Sequence, residues 1–325
     1  MGSANSALIG KNISLRFSEK TKKYYRTNEI VSGTIECYYN GDSDVPLKSV
    51  SVELIGELVY STDESSSKQK SSTTHHLSFF TKMVTLRSTD DEKKFILTPG
   101  THVWPFSFHL DDSLPPTMKQ KHRQGPYIRY FLCARLKQSD RCKMNVEQRY
   151  PIMIQRSTTS LRVTHLEVED ENQKGVQLHA FLHKNVAVAG ECFSFELDLY
   201  NPNRMTIHRI SAKLIRERIL GLTKEKNVIS LTTNLLDVYD FQDEHLCGNF
   251  ELLLPKKPVT SFSWETEPYP SRNPLTMRYE LRLEAHMHDR LNNIRLQVPL
   301  IIINTTSTDE DEMMSLPSYE TLFPV

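Results

Sequence analysis

The side chains that most often perform chemistry in proteins occur in this chain without the partners that their reactions need. His75 and His76 are adjacent, but no cysteine or carboxylate stands at metal-ligand spacing around them, which favours exposed side chains. Asp243, Glu244 and His245 form a group that is more typical of a charged turn between strands. The sequence has no glycine-rich phosphate loop, no Gly-x-Ser-x-Gly, no His-Glu-x-x-His and no Cys-x-x-Cys, and only 11 glycines. We therefore expect no catalytic, cofactor or metal site, and a function other than that of an enzyme.

The C-terminal residues carry recognition chemistry instead. The acidic run at residues 309–312 keeps this segment extended, and Pro317 favours a polyproline II conformation beginning at Leu316. Pro317 and Tyr319 form the Pro-x-Tyr pattern that docks in the aromatic-lined grooves of WW domains. Tyr319 and Leu322 also fit the pattern tyrosine-x-x-bulky-apolar, which clathrin adaptors bind as an added strand. The sequence leaves both partners open, a WW-domain protein or a clathrin adaptor.

Two further groups could contact membranes or anions. The N-terminal Met-Gly-Ser-Ala-Asn-Ser fits the N-myristoylation pattern, in which Gly2 is acylated and Ser6 is the small hydroxyl residue; an unmodified terminus is the alternative. One acyl chain gives only weak, reversible attachment to a membrane. Lys22 and Lys23 lie in a basic stretch beside tyrosines, which could receive a phosphate or form an ordinary solvated loop.

The composition limits the compartment and the partners. The 325 residues carry a formal net charge of zero, so the overall charge does not call for nucleic acid. Residues 304–325 contain five acids and no base, which leaves a weakly basic body and an acidic tail. Five cysteines without close pairs make a poor disulfide framework, and the N-terminus lacks a signal-peptide core. We expect a soluble cytoplasmic protein with at most peripheral membrane contact.

The rest of the chain is organised around residues 190–217. From residue 193 to residue 200, apolar and polar side chains alternate, which predicts a strand with one buried face. A turn follows at Pro202, because proline lacks the amide donor that a strand ladder needs, and a second strand comes after it. Shifted back by 160 positions, this stretch aligns without gaps on residues 30–57, with five identical residues. The chain therefore contains an internal repeat.

Two later segments repeat in the same order. Residues 125–136 match residues 274–285 around a shared Arg-Tyr pair, and residues 151–154 match residues 299–302. Ordered repeats of this kind indicate two tandem copies of one domain.

Short alternating segments are frequent and a 3.6-residue period is almost absent. This pattern predicts an all-β chain of two tandem immunoglobulin-like β-sandwich domains. We place the domains at residues 1–155 and 156–303, followed by a disordered acidic tail at residues 304–325. Residues 61–76 are rich in Ser and Thr and have little to bury, which predicts a loop. Trp104 is expected to fill the core of the first domain.

The repeated segments, together with residues 186–215, resemble the arrestin fold over residues 11–303. The Pro-x-Tyr tail is similar to that of the alpha-arrestin branch, the arrestin-domain-containing proteins. The resemblance implies a non-enzymatic adaptor that binds cytoplasmic segments of membrane proteins and recruits WW-domain HECT-type ubiquitin ligases for endocytosis and sorting. Leu316 stands where the branch's Pro-Pro-x-Tyr motif has its first proline, and only one copy is present, which implies weaker recruitment of a ligase.

The resemblance also extends to one arginine. The sequence Ser-Leu-Arg-Val at residues 160–163 is similar to the strand that carries the phosphate-sensing arginine of visual and beta-arrestins. Arg162 is thus a candidate phosphate contact, with a structural role as the alternative, because the acidic loop that holds that arginine has no clear counterpart. A retromer-like sorting coat contains a subunit of the same fold, so a structural coat subunit is the second function considered. We expect a cytoplasmic protein recruited to the plasma membrane or endosomes.

Overall fold

The computed structural model describes residues 13–66, 69–88, 95–120, 125–139, 146–157, 161–232, 235, 240–264, 275–288 and 290–304. Most of these residues lie in β-strands. The strands of the first half are β1 (Ile13–Phe17), β2 (Tyr25–Arg26), β3 (Ile30–Tyr39), β4 (Val45–Ser66), β5 (Gln69–Ser88), β6 (Phe95–Leu97), β7 (Gly100–His109), β8 (Tyr127–Gln138), β9 (Val146–Ile152) and β10 (Ile154–Gln155). The strands of the second half are β11 (Leu166–Glu171), β12 (Gln177–Leu182), β13 (Val186–Val188), β14 (Cys192–Tyr200), β15 (Ile207–Leu220), β16 (Thr223–Thr232), β17 (His245–Leu253), β18 (Phe262–Trp264), β19 (Leu275–Met287) and β20 (Ile294–Ile303), with a 3-10 turn at Arg290–Asn292. In the part of the chain described, no helix is long and apolar enough to cross a membrane.

Two antiparallel sheets build the first half. One has the strand order β1-β3-β7; the other has the order β5-β4-β8-β9, with β6 paired to β4. A short parallel pair, β2 with β10, places Tyr25 beside Ile154. Every second residue of β3 from Val31 to Tyr39 is buried, and Trp104 on β7 is buried as predicted. The alternation places one face of each sheet in a shared core.

The second half repeats this construction. Its sheets have the orders β11-β12-β14-β17 and β13-β20-β19-β15-β16, with β18 paired to β19. The alternation predicted for β14 is confirmed, because its four apolar side chains between residues 193 and 199 are at most 3% exposed. Burial of each such side chain stabilises the fold by about 1.5–3 kcal/mol, so β14 is a major contributor to this core.

The strand orders of the two halves correspond. The order β5-β4-β8-β9 matches β16-β15-β19-β20, and β1-β3-β7 matches β12-β14-β17. The parallel pairs match as well, since β2 lies beside β10 as β13 lies beside β20. The repeat at an offset of 160 positions aligns β3 and β4 with β14 and β15. The predicted pair of β-sandwiches is therefore confirmed.

Contacts between residues divide the chain into two compact units. The first unit contains Met1–Arg162, Glu217–Lys226 and Phe262–Arg278, and the second contains Val163–Arg216, Asn227–Ser261 and Tyr279–Val325. In the first unit, Trp264 packs edge-on against Phe79 and Phe80, with ring centroids 6.1 and 5.8 Å away. The sequence-based domain limits, residues 1–155 and 156–303, stay a prediction.

The loop predicted for residues 61–76 is wrong, because most of this stretch belongs to a β-hairpin. β4 continues to Ser66 and β5 begins at Gln69, and the two strands stay in register from Ser61↔Thr74 to Ser66↔Gln69. Cross-strand pairing satisfies the backbone groups whatever side chains the strands carry. The hydroxyls of Ser61 and Thr74 also lie 3.4 Å apart. Polar composition therefore did not exclude strands.

The turn predicted after β14 is present and is held by one buried asparagine. Asn201 is fully buried, and its side-chain amide donates to the carbonyls of Met205 and Asp243 at 2.9 and 3.2 Å. Its side-chain oxygen accepts from the Met205 amide at 2.9 Å. Arg204 completes the turn with a positive φ of 48°. These bonds fix the position at which β15 begins.

Candidate docking surfaces

β1 is an edge strand whose outer side is open to pairing. It pairs with β3 along its whole length, and within the described residues no strand pairs with its other side. The amide of Ser18 donates to β3, so the odd-numbered residues of β1 turn their backbone groups outward. Tyr150 Oη donates to the outward carbonyl of Ile13 at 3.0 Å. The next position along the edge, formed by the Leu15 carbonyl and the Phe17 amide, faces outward and is paired with no strand that the structure describes.

A glycine lets β1 approach β3 closely. A Cβ atom at Gly33, opposite Phe17, would lie 2.2 Å from the carbonyl oxygen of Arg16 and 2.9 Å from the ring of Phe106. Real Cβ atoms do not approach backbone oxygens so closely, so any larger residue must push β1 away from β3. The position of the open edge therefore depends on Gly33.

The predicted phosphate contacts Lys22 and Lys23 lie between β1 and β2 and differ in their surroundings. Lys22 Nζ is 3.1 Å from carboxylate oxygens of both Glu19 and Glu29, and it lies 5.0 Å from the centre of the Tyr25 ring. Partial burial acts to lower the pKa of Lys22, but hydrogen bonds to Glu29 and Glu19 outweigh it and raise the pKa. Lys23 is exposed and has no ion pair in the described part of the chain. A phosphate at Lys22 would have to displace two carboxylates, so Lys23 is the better placed; both phosphate roles stay predictions.

Arg162, the third predicted phosphate contact, is exposed in the segment before β11. Across the described ranges, no hydrogen bond or ion pair joins Arg162 to Lys22 or Lys23. A different arginine is partly buried after β10: burial lowers the pKa of Arg156, and the charge of Asp112 opposes that shift. The sequence did not reveal Arg156, because its Ser- and Thr-rich surroundings indicate exposure. The phosphate role of Arg162 stays a prediction.

Ion pairs cross the outer face of β4, β8 and β9. Arg135 on β8 lies between Glu53 on β4, at 2.8 Å, and Glu147 on β9, at 3.3 Å. Arg149 bonds to Glu147 at 2.8 Å and stacks 4.8 Å from the centre of the Phe131 ring. Burial acts to raise the pKa of Glu147, but the hydrogen bond from Arg149 and the nearby guanidinium charges lower it overall. The row Glu53, Arg135 and Glu147 is called the first ladder below.

The second sandwich carries the same ladder with every sign reversed. Glu284 on β19 lies between Lys213 on β15, at 3.1 Å, and Arg295 on β20, at 2.9 Å. These residues follow the three members of the first ladder at offsets of 160, 149 and 148 positions. Glu284 is 5% exposed; burial acts to raise its pKa, but the bonds from Arg295 and Lys213 lower it overall. This row, the second ladder, has one acid between two cations where the first has one cation between two acids.

Ser211 and His286 extend the second ladder into a Ser-His-Glu group. Ser211 Oγ lies 2.9 Å from His286 Nε2, and the Glu284 carboxylate lies 3.8 Å from the same nitrogen. A hydrolase triad needs its carboxylate on the other ring nitrogen, so that Nε2 can take the serine proton. Burial lowers the pKa of His286; the Glu284 charge opposes this effect and the Arg209 charge adds to it. The geometry is that of a structural network and not of a serine hydrolase.

The histidines singled out in the sequence have aromatic or acidic neighbours. His75 stacks on a tyrosine ring at 5.0 Å, and His76 Nδ1 lies 3.6 Å from the carboxylate of Glu57. His245, at the start of β17, lies 2.7 Å from Asp198. Within the described ranges, no group of three histidine, cysteine or acidic side chains is arranged to hold a metal ion.

Four cysteines are described and all four are free thiols. Cys192 and Cys247 are exposed, and Cys37 and Cys133 are buried. Burial raises the pKa of both Cys37 and Cys133 to about 11. Both buried thiols are therefore protonated at neutral pH and are poor nucleophiles. Cys142 lies outside the described residues.

The lipidation and tail motifs lie outside the described residues. They comprise Gly2 at the N-terminus and Leu316, Pro317, Tyr319 and Leu322 in the tail. Their roles therefore stay predictions.

One comparison with known proteins matches the first half of the chain. Residues 13–157 match the family "Arrestin (or S-antigen), N-terminal domain". The match begins at the first residue of β1 and ends two residues after β10, so it spans both sheets of the first sandwich. No curated protein matches the chain. Residues 13–157 are thus similar to an arrestin N-terminal domain, and arrestin domains generally act as non-enzymatic adaptors.

Proposed function

We propose that this chain is a non-enzymatic adaptor that links membrane proteins to ubiquitin-ligase or endocytic sorting machinery. The arrestin domain supports adaptor function in general. The Pro-x-Tyr tail, which resembles the alpha-arrestin branch, suggests which machinery the protein recruits. The observation that carries the proposal is the outer side of β1, with which no strand of the described residues pairs.

An extended cytoplasmic segment of a membrane protein would pair with β1 as an added strand. In this mode, backbone hydrogen bonds supply affinity and the neighbouring side chains supply specificity. Arg16 projects from β1 and pairs with Glu36 at 2.9 Å, and its side chain remains 63% exposed. Together with the exposed Lys23, it would favour an acidic or phosphorylated segment.

The tail would supply the second contact. Pro317 and Tyr319 would bind a WW domain of a HECT-type ubiquitin ligase, with modest affinity because Leu316 replaces a proline. Binding of Tyr319 and Leu322 to a clathrin adaptor is the alternative use of the same segment. Acylation of Gly2 would add weak attachment to the membrane. The protein would then act in the cytoplasm, at the plasma membrane or at endosomes.

The open edge of β1 provides the test. Phe17→Pro removes the outward amide, and Phe17→Ala removes the same ring but keeps that amide. With a photo-cross-linking amino acid in place of Arg16 in living cells, we expect the Ala variant to keep its cross-links to membrane proteins. The Pro variant should lose about fivefold in yield, because one backbone hydrogen bond contributes about 1 kcal/mol.

Two results separate the outcomes of this experiment. Circular dichroism must show that both variants keep their strands, since proline is tolerated on an edge strand where its nitrogen faces outward. If the folded Pro and Ala variants give equal cross-link yields, cargo does not bind along β1. Binding of the tail to a WW domain is measured in a separate experiment. Its outcome therefore does not affect the cross-linking comparison at β1.

A further inference from the structure

The outer face of β15, β19 and β20 in the second unit is rich in cations. The alternate residues Ile210, Ala212 and Leu214 of β15 are fully buried in the core, so their neighbours on the strand point away from it. The cationic face, as it is called here, consists of four residues: Arg209, Lys213, Arg282 and Arg295. The face carries more positive charge than its own acids can balance, as its contacts show.

Two carboxylates serve the four cations. Glu284 is shared by Lys213 and Arg295, and Glu280 bonds to Arg282 at 2.5 Å. The Nε atoms of Arg209 and Arg282 are buried and have no hydrogen-bond partner among the described residues. The four cations exceed the two carboxylates by two charges, so an added anion would stabilise this face.

We propose that the acidic run of the same chain, Asp309, Glu310, Asp311 and Glu312, docks on the cationic face. The tail from residue 304 onwards contains five acids and no base, so its charge is complementary to that of the face. The face lies on the sheet that contains β20, and the tail leaves the fold directly from the end of β20. The acidic run is therefore joined to the sheet of the cationic face by a short stretch of chain.

The length of the chain between them is sufficient. Arg282 lies opposite Gln297, six residues back along β20 from Ile303, which is about 20 Å at about 3.3 Å per residue. Arg295 lies eight residues back, which is about 26 Å. A fully extended chain from Asn304 reaches about 25 Å at Asp311 and about 28 Å at Glu312, at about 3.5 Å per residue. After a reversal of direction, the second half of the acidic run can therefore reach Arg282, whereas Arg295 lies at the limit of its reach.

Because the acidic run and the cationic face belong to the same chain, a weak attraction between them is sufficient for docking. A short flexible connection gives the tail an effective concentration in the millimolar range at the face. The docked state depends on charge, and the Debye length falls from about 10 Å at 0.1 M salt to about 3 Å at 1 M. Docking should therefore be present at low salt and lost at high salt.

The test changes the tail and leaves the folded sheets untouched. The full chain is compared with a variant in which Asp309→Asn, Glu310→Gln, Asp311→Asn and Glu312→Gln remove the four charges and keep the shapes. A matched control removes four exposed acids from the other sheet of the same sandwich: Glu167→Gln, Glu169→Gln, Glu171→Gln and Glu251→Gln. Backbone amide shifts are recorded by nuclear magnetic resonance at low salt and at 1 M salt.

We expect the tail variant to shift amides of β15, β19 and β20 around Lys213, Arg282 and Arg295, and the control to shift only its own sheet. High salt should remove the difference between the wild-type chain and the tail variant. The proposal is overturned if the shifts are absent or lie on other strands. It is also overturned if they change on tenfold dilution, because the occupant would then be the tail of a second copy. The tail variant keeps Tyr319, so WW-domain binding reports on the proposed function independently.

Discussion

Two tyrosine hydroxyls, one in each half, form equivalent buried bonds, and the loss of either should destabilise its own sheet. Tyr130 on β8 donates to the carbonyl of Pro115 at 2.7 Å, and Tyr279 on β19 donates to the carbonyl of Val259 at 2.6 Å. The two tyrosines are 0% and 3% exposed, and burial raises the pKa of both phenols. Phenylalanine keeps the ring but removes the donor to a carbonyl, which belongs to a buried residue at Pro115 and to a partly buried one at Val259. Since an unsatisfied buried group costs about 1–3 kcal/mol, Tyr130→Phe should lower the free energy of unfolding by that amount, and Tyr279→Phe by the lower end of it because Val259 is only partly buried.

Hydrogen exchange of the full chain in increasing urea locates the effect. Tyr130→Phe should lower protection in β4, β8 and β9, and Tyr279→Phe should lower it in β15, β19 and β20. Tyr38→Phe is the control, because Tyr38 is 53% exposed and its change should stay within about 0.5 kcal/mol. If either buried hydroxyl is removed at a cost below about 0.5 kcal/mol, or if both variants weaken all sheets equally, the argument from buried bonds is wrong.

Three further predictions address single positions. Glu284→Gln should lower the free energy of unfolding by about 1–2 kcal/mol at pH 7, which is less than the roughly 3–5 kcal/mol for breaking a fully buried ion pair. The cost is smaller because the side chains of Lys213 and Arg295 are 26% and 52% exposed and can be solvated by water. The pKa of Glu284 is lowered in the folded state, so its stabilisation is complete above the unfolded pKa of about 4.3 and is lost as the pH falls through the folded value. A urea midpoint gap between wild type and variant that does not shrink as the pH falls below about 4.3 would contradict this. Gly33→Ala should cost about 1–3 kcal/mol in urea unfolding and reduce cross-linking from position 16, whereas an unchanged midpoint would show that β1 shifts freely. Tyr319→Ala should abolish WW-domain binding of a tail peptide in calorimetry with no change in the melting temperature of the chain, and equally weak binding of the Tyr and Ala peptides would remove the ligase contact.

Local alternation was sufficient to predict the sandwiches. The period of two in β14 marks a strand with one buried face, and the ungapped repeat at residues 30–57 transfers the same assignment to β3 and β4. The order of the strands then follows from the fold class, because duplicated domains keep their topology. The hairpin at residues 61–76 could not be predicted in this way, because its sequence has no apolar alternation and its strands are recognised from their backbone pairing.

The ladders could not be predicted, because their members are distant in sequence. Lys213 and Glu284 are 71 positions apart and meet only because β15 lies beside β19. On the sequence alone, each is one charged residue in an alternating strand and would be assigned to solvent. The ion pairs of the predicted lysines could not be read from the sequence either. Lys22 is paired with two carboxylates and Lys23 is not, although the two are neighbours in the chain.

Comparison of the two ladders shows which of their properties the fold requires and which can differ between surfaces. Either order of signs places opposite charges on adjacent strands at about 3 Å, so both ladders tie three strands together in the same way. A triple variant, Lys213→Glu, Glu284→Arg and Arg295→Glu, gives the second ladder the signs of the first. Its free energy of unfolding should stay within about 1 kcal/mol of the wild type, whereas Glu284→Arg alone should cost about 3 kcal/mol or more, because it places three cations together. The same triple variant should remove the salt-dependent amide shifts that the acidic tail produces. A triple variant as unstable as the single one would mean that the sign of the ladder is required by the fold and was not free to serve recognition.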